Sequence, residues 1–264
     1  MRGIWAKEDP REIVRGWSEF YDLVATHGFY DDLYEEVIPA LTRKPSPGYQ
    51  TRYLSFADSL GVLLDTRGHS AENFLRITNN LASIYSVAID RGFLLRGAVA
   101  AGKFYTRDPS PFYIGPAADD AGFWYDKANW AGVILTPQTG KVLDAVIHED
   151  RLQRANLCRW PVPLKCHGPT KLWALDWPRP DERRALVVSH FARSPDDPRV
   201  ATKRDATLRF YDVRANLRMK PFRDAKAKWE AENPGKKAYE GVADRFWAVA
   251  PPPVPPPDED ESEP

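Results

Sequence analysis

One acidic residue, Asp58, interrupts the stretch from Tyr53 to Leu64, YLSFADSLGVLL, which is otherwise mostly apolar. Burying a carboxylate costs free energy unless a partner compensates its charge, so Asp58 needs an explanation. A divalent metal ion would compensate the charge, and Asp58 is the leading candidate for a metal ligand in this chain. The alternative is a solvated aspartate at the tip of a hairpin, where this residue type is common. Ser59 could line the same turn or simply help to form it.

The residues around Asp58 predict the elements that position it. From Thr51 to Thr66 most residues are β-branched, aromatic or leucine. The segment is too long for one typical strand of ~5 to 6 residues. We therefore predict two strands bent into a hairpin, with Ala57, Asp58 and Ser59 at the turn. Ser70 then predicts the N-cap of an amphipathic helix that ends at Gly92.

Helices and strands alternate on both sides of this hairpin. Upstream, Asp9-Pro10 predicts the start of a first helix, and a second is predicted near residues 31–42. Downstream, a strand is predicted over residues 93–105, in which Gly97 and Gly102 would let another backbone or a ligand approach closely. Gly115-Pro116 predicts a helix to about residue 129, and a fourth strand is predicted over residues 132–136. This order predicts an α/β sheet with helices packed on it.

The signals weaken beyond Lys141. Residues 142–156 favour a helix, residues 171–177 alternate as a strand, and residues 205–215 and 221–233 favour two further helices. The ending, PPPVPPPDEDESEP, cannot bury apolar surface. We predict a sheet domain over residues 1–178, a helical C-terminal extension over residues 179–250, and a disordered, proline-rich acidic tail over residues 251–264.

Composition narrows the functional classes. The net charge is zero, but five acids lie between Asp258 and Glu263, so the remaining chain carries about five net positive charges. A mildly basic body suits a polyphosphate ligand. We expect no nucleic-acid partner, because the tryptophans are not interleaved with basic residues. Two cysteines exclude a disulfide scaffold, and no apolar run is long enough for a membrane span. We expect a cytoplasmic protein without a membrane partner.

Four segments in order, FADSL, LLRGAVAAG, IGPAADDA and WAGVIL, resemble the palm-type nucleotide cyclases, most closely the pyrimidine cyclases of bacterial anti-phage signalling systems. Those proteins show a similar F-S-D-S strand turn, an L-R-G-G-I-x-x-G strand, and a G-x-A-x-x-x-A helix leading into an A-x-x-P-R/G-I/V strand. The resemblance covers roughly residues 3–177 and is strongest over residues 53–135. It implies that residues 1–178 form a ferredoxin-like α+β palm with a central, mostly antiparallel sheet flanked by helices.

The resemblance also implies two-metal chemistry. Two strand-borne aspartates hold two divalent cations, Mg²⁺ or Mn²⁺, and the ribose 3′ oxygen of a nucleoside triphosphate attacks the α-phosphate to release pyrophosphate. Asp58 matches one of those aspartates, and Arg96 matches the family's arginine, with an exposed strand arginine as the alternative. The expected substrate-binding residues are Ser59, Gly97, Gly102, Gly115 and Asp120. The alternatives are backbone geometry for Gly102 and Gly115 and a solvated helical acid for Asp120.

Two departures from the family pattern leave a second function open. Tyr125 stands where relatives carry the acid of an A-Y-x-x-E ending, and the apolar strand with the other aspartate is not found before the first helix. We expect that strand upstream of Met1. The alternative is a degenerate cyclase fold that binds a nucleotide or a partner protein without turnover, and the proline-rich tail could recruit a partner in either case. The resemblance further implies a homodimer with sites at the interface.

Overall fold

The computed structural model describes residues 9–27, 51–56, 59–64, 70–107, 112–148, 155–179, 183–192 and 197–232. These residues form a mixed α/β structure that is mostly helical. Its helices are α1 (Pro10–His27), α2 (Ala71–Asp90), α3 (Pro116–Lys127), α4 (Pro137–Val146), α5 (Arg183–Ala192) and α6 (Pro198–Glu232). Its strands are β1 (Thr51–Phe56), β2 (Ser59–Leu64), β3 (Gly97–Val99), β4 (Tyr105–Arg107), β5 (Phe112–Ile114), β6 (Val133–Leu135), β7 (Leu157–Val162) and β8 (Thr170–Leu175).

A four-stranded sheet with the order β3-β6-β8-β7 is the largest sheet of the described residues. β3 and β6 are parallel, whereas β6 pairs with β8, and β8 with β7, in antiparallel fashion. All three residues of β6 are buried, as expected for a strand covered on both faces. Helices on the sheet contribute aromatic side chains to the same core, including Tyr85 of α2 and Phe210 of α6.

The two remaining sheets are hairpins, β1–β2 and β4–β5. β1–β2 lies over a smaller core formed by Phe20 and Val24 of α1 with Ile84 and Ala88 of α2. The described strands therefore confirm a mixed α/β class, while the single palm-type sheet implied by the resemblance stays a prediction.

Several predicted elements are confirmed. The β1–β2 hairpin is present, with Ser59 already in β2 and paired with Phe56. The Ser70 hydroxyl oxygen caps α2 by accepting from the backbone N–H of Asn73 at 3.3 Å. Gly92, just beyond the end of that helix, has φ +78°. Glycine adopts this left-handed backbone conformation at little cost, which explains why α2 ends just before Gly92.

Other boundaries were wrong. Within the predicted strand over residues 93–105, the residues in strands are Gly97–Val99 and Tyr105, which is the first residue of β4. The helix predicted over residues 142–156 begins at Pro137, because Thr136 caps it and Pro137 suits its first turn. The two C-terminal helices are one helix, α6, with Pro221 inside it. The helix near residues 31–42 and the tail at residues 251–264 lie outside the described residues.

The C-terminal helices share the core of the sheet. Val187 and Phe191 of α5, and Phe210 and Tyr211 of α6, pack in one buried cluster with the sheet residues. The boundary predicted between residues 178 and 179 stays a prediction. Among the described residues, no helix combines the length and the apolar character needed to cross a bilayer.

Candidate functional site

The β1–β2 hairpin is anchored from both of its flanking helices. The Tyr21 hydroxyl of α1 donates to the Tyr53 carbonyl at 3.3 Å, and the Asn80 side-chain amide of α2 donates to the Tyr53 hydroxyl at 2.9 Å. Leu60 and Val62 of β2 pack on the core between these helices. The strands that precede and follow the candidate metal ligand in the sequence are therefore held by specific contacts.

Asp58 itself lies outside the described residues, as does Ala57. Because Phe56 pairs with Ser59, Ala57 and Asp58 are the only residues between β1 and β2 in the sequence. The half-buried Ser59 is the first residue after it. Within the described part of the chain, no three His, Cys, Asp or Glu side chains lie close enough together to hold a metal ion. A metal site at Asp58 stays a prediction.

Arg96 lies directly before β3 and its side chain is 27% exposed. A guanidinium N–H donates to Asp126 Oδ1 at 3.4 Å, and the guanidinium carbon is 5.5 Å from the centre of the Tyr125 ring. Next to it, the Gly97 N–H donates to the Gly132 carbonyl at 3.0 Å, which starts the pairing of β3 with β6. A methyl group on Gly97 would make only an ordinary contact, 3.6 Å from Val133. Gly97 is thus compatible with close approach, but the local packing does not require a glycine.

Gly102 and Gly115 both lie near the start of α3. Gly115 has φ +144°, and a Cβ there would lie 2.7 Å from the Lys103 carbonyl oxygen, so only glycine fits without strain. A Cβ on Gly102 would lie 3.5 Å from that of Ala117. For Gly115, backbone geometry explains the residue type without a ligand. Asp120 is half-buried one turn into the helix.

The predicted residues form two groups in the described structure. Arg96 and Gly97 lie at the start of β3, whereas Gly102, Gly115 and Asp120 lie around the N-terminal half of α3. No hydrogen bond or ion pair among the described residues joins Ser59 to either group. The expected single site is therefore not assembled by contacts between these residues alone.

Sequence reasoning missed the charged neighbours of Arg96. The Lys165 ammonium lies 2.5 Å from Asp126 Oδ1, so Asp126 binds both Lys165 and Arg96. The hydrogen bond from Lys165 lowers the pKa of Asp126, and the charges of Lys165, Arg96 and Lys127 lower it further against a contribution from burial. The position after Tyr125 thus holds a carboxylate that pairs with the predicted arginine.

Lys203 of α6 belongs to the same electrostatic environment. Burial lowers the pKa of Lys203, and the positive charges of Arg96 and Lys165 lower it further, while Asp197 and Asp126 oppose them. Local sequence patterns could not have grouped these residues, since they come from four separate segments of the chain.

The chain matches no protein-family model, and neither curated proteins nor solved structures give a match.

Proposed function

We propose that this chain is a nucleotide cyclase-like protein of anti-phage signalling. It would convert a nucleoside triphosphate, with a pyrimidine base as our expectation, into a 3′,5′-cyclic nucleotide and pyrophosphate. The observation that carries the proposal is the order of elements around the motifs. A hairpin closed by Ala57-Asp58 is followed by α2, then β3 with Arg96 before it, then α3 opened by Gly115, then β6 beside β3. This is the order in which the resemblance places them.

The proposed roles follow residue by residue. Asp58 would hold Mg²⁺ or Mn²⁺, which stabilises charge that develops on the phosphates and lowers the pKa of an attacking hydroxyl. Arg96 would place positive charge beside the reacting phosphate. Ser59, Gly97, Gly102, Gly115 and Asp120 are the proposed substrate-binding residues.

Product analysis tests the proposal directly. The full chain is incubated with Mn²⁺ and each of the four common ribonucleoside triphosphates in turn, and cyclic nucleotide and pyrophosphate are quantified. We expect one triphosphate to be converted, and Asp58→Ala to abolish product while the circular dichroism spectrum stays unchanged. Asp119→Ala, an exposed acid of α3, is the matched control and should keep full activity. Equal turnover by the Asp58→Ala protein would refute the role of Asp58.

A second candidate function is binding of a nucleotide without turnover. The sequence observation that favours it is that one of the two family aspartates is matched, by Asp58, and one carboxylate holds two metals poorly. Calorimetry with Mn²⁺ and a non-hydrolysable triphosphate distinguishes the two functions. Metal-dependent binding that is lost in Asp58→Ala, without any product from the natural triphosphates, would support this second function.

Homodimerisation is part of the proposal. Phe123 and Tyr125 of α3 are 58% and 44% exposed, so this helix offers aromatic surface to a second copy. Sedimentation should give about twice the monomer mass. A monomer at tens of micromolar protein would argue against a shared site, and Phe123→Ser should shift a dimer toward monomer.

A further inference from the structure

Four basic side chains from separate parts of the chain share one electrostatic environment. Arg96 precedes β3, Lys127 ends α3, Lys165 lies between β7 and β8, and Lys203 is in the first turns of α6. Arg96 and Lys165 both contact Asp126. We call these four residues the basic cluster.

Backbone hydrogen bonds fix the β7–β8 connection against the end of α3. The Lys165 N–H donates to the Lys127 carbonyl at 2.9 Å, and the Asn129 N–H donates to the Pro163 carbonyl at 2.7 Å. Between them, Ala128 and Leu164 form an antiparallel bridge. Because the main chains are tied together at this point, Lys127 and Lys165 stay close whether or not a ligand is bound.

A buried threonine fixes α6 against the same region. The Thr207 hydroxyl oxygen accepts a hydrogen bond from the Ala131 N–H at 2.9 Å, and the hydroxyl donates to the Lys203 carbonyl at 2.7 Å. Residues four apart lie on one face of a helix, so Lys203 is on the face of α6 that contacts Ala131. The fold therefore brings the turn of α6 that carries Lys203 close to the segment that follows Asp126.

The basic cluster carries more positive charge than its acids neutralise. Asp126 is the carboxylate that Arg96 and Lys165 contact, and Asp126 and Asp197 are the acids whose charges act on Lys203. Counted over these described residues, four cations beside two carboxylates leave two positive charges. Within the described part of the chain, the Lys203 ammonium forms no hydrogen bond or ion pair. Arg96 uses one guanidinium nitrogen on Asp126, which leaves further donors of its planar fork for a ligand.

Surplus positive charge in a partly buried, fixed arrangement suits a compact ligand with several negative charges. Burial disfavours the Lys203 cation. A bound anion would relieve this cost by adding its negative charge to those of Asp126 and Asp197. Asp126 has a supporting role here, because it holds Arg96 and Lys165 in place before a ligand arrives.

We infer that the basic cluster binds the phosphate chain of a polyphosphate ligand. The inference rests on the proposed function for the identity of that ligand as the nucleotide's triphosphate. It adds that the region after residue 178 contributes to substrate binding through Lys203, which the family resemblance does not cover.

Calorimetry with sodium tripolyphosphate, without divalent metal, tests the basic cluster on its own. The full chain should bind this probe, and Lys203→Ala should weaken binding at least about tenfold, as expected for the loss of one charge-assisted contact. Lys203→Arg should retain most of the affinity because it keeps the charge. Lys220→Ala, an exposed lysine further along α6, is the matched control and should bind like the parent.

The outcomes separate this inference from the proposed function. Asp58→Asn should leave tripolyphosphate binding unchanged while abolishing any cyclic nucleotide product. Tripolyphosphate binding that depends on Lys203, without product from any triphosphate, would refute the cyclase and keep the basic cluster. Product formation whose KM is unaffected by Lys203→Ala and Lys165→Ala would refute the basic cluster and keep the cyclase. Equal loss of binding in Lys220→Ala would also refute it, because the effect would then be nonspecific.

Discussion

Asp176 and Asp126 each form ion pairs with two basic residues, yet the two sites are built differently. The Asp176 side chain is 6% exposed and receives two hydrogen bonds from the Arg214 fork, at 3.1 and 2.7 Å, with Arg218 at 2.9 Å. The Asp126 side chain is 58% exposed and its closest partner is the flexible Lys165. Planar arginine forks suit a fixed, buried ion pair, whereas lysines suit an exposed one.

The buried site also includes backbone groups. The Asp176 N–H donates to the Asn156 carbonyl at 2.6 Å, and the Asp176 carbonyl accepts from Arg218 at 2.7 Å. A charge with so many fixed partners attaches α6 to the sheet and has little capacity left for a ligand. The comparison teaches that clustering of cations around a carboxylate does not by itself indicate function. Access to solvent is what distinguishes Asp126, whose side chain is 58% exposed, from the buried Asp176.

Removal of the two carboxylates should separate the sites most clearly. Asp176→Ala leaves the buried Arg218 and the partly buried Arg214 without a carboxylate partner, and we expect the free energy of unfolding to fall by about 3 to 5 kcal/mol. Asp126→Ala removes exposed ion pairs, and we expect a loss below about 1 kcal/mol. Urea denaturation monitored by tryptophan fluorescence measures both. Similar losses in the two variants would contradict the distinction.

The pH dependence of stability should follow Asp176. Burial raises the pKa of Asp176, but the charges of Arg218, Arg214 and Arg179 outweigh it, so the pKa lies below its ordinary value. A carboxyl with a lowered pKa in the folded state stabilises the protein above its unfolded pKa of about 3.9. That contribution is lost as the pH falls through the folded value.

We therefore expect the unfolding free energy to drop below about pH 4, with this group contributing at most about 1.4 kcal/mol per pH unit. Asp176→Asn should flatten the acid limb of the curve, whereas Asp126→Asn should change it little because its exposed charge is screened. Denaturant titrations between pH 2.5 and 6 in matched ionic strength provide the measurement. If the unfolding free energy of the Asp176→Asn protein fell with pH as steeply as that of the parent, groups other than Asp176 would cause the acid sensitivity.

Local patterns predicted much of the fold but not these two sites. The capping residues Ser70 and Gly115-Pro116 fix helix starts through contacts a few residues away, so α2 and α3 could be placed from sequence. The short strand β3 could not, because its extent depends on pairing with β6, far along the chain.

The candidate site divides in the same way. Arg96 could be selected because it adjoins a recognisable strand motif. Lys203 and Lys165 could not, since no periodicity or local motif connects them to Arg96. Tertiary contacts, such as those of Thr207 and Asn129, bring their segments together.

The chain carries a natural reporter at each site, because Cys158 lies beside the buried network and Cys166 directly follows Lys165. Cys158 is buried, and burial together with the charge of Asp176 raises the pKa of its thiol, whereas Cys166 is exposed. Only the thiolate reacts with disulfide reagents, so we expect one thiol per native chain to react rapidly and the second only after unfolding.

Tripolyphosphate bound at the basic cluster should slow the rapid reaction, that of Cys166, and leave the slow reaction of Cys158 unchanged. Asp176→Ala should accelerate the slow phase by admitting reagent to Cys158 and should leave the rapid phase unchanged. Cys166→Ser identifies the phases, since it should remove the rapid one alone; rapid reaction of both thiols in the native chain would contradict the burial of the Asp176 network.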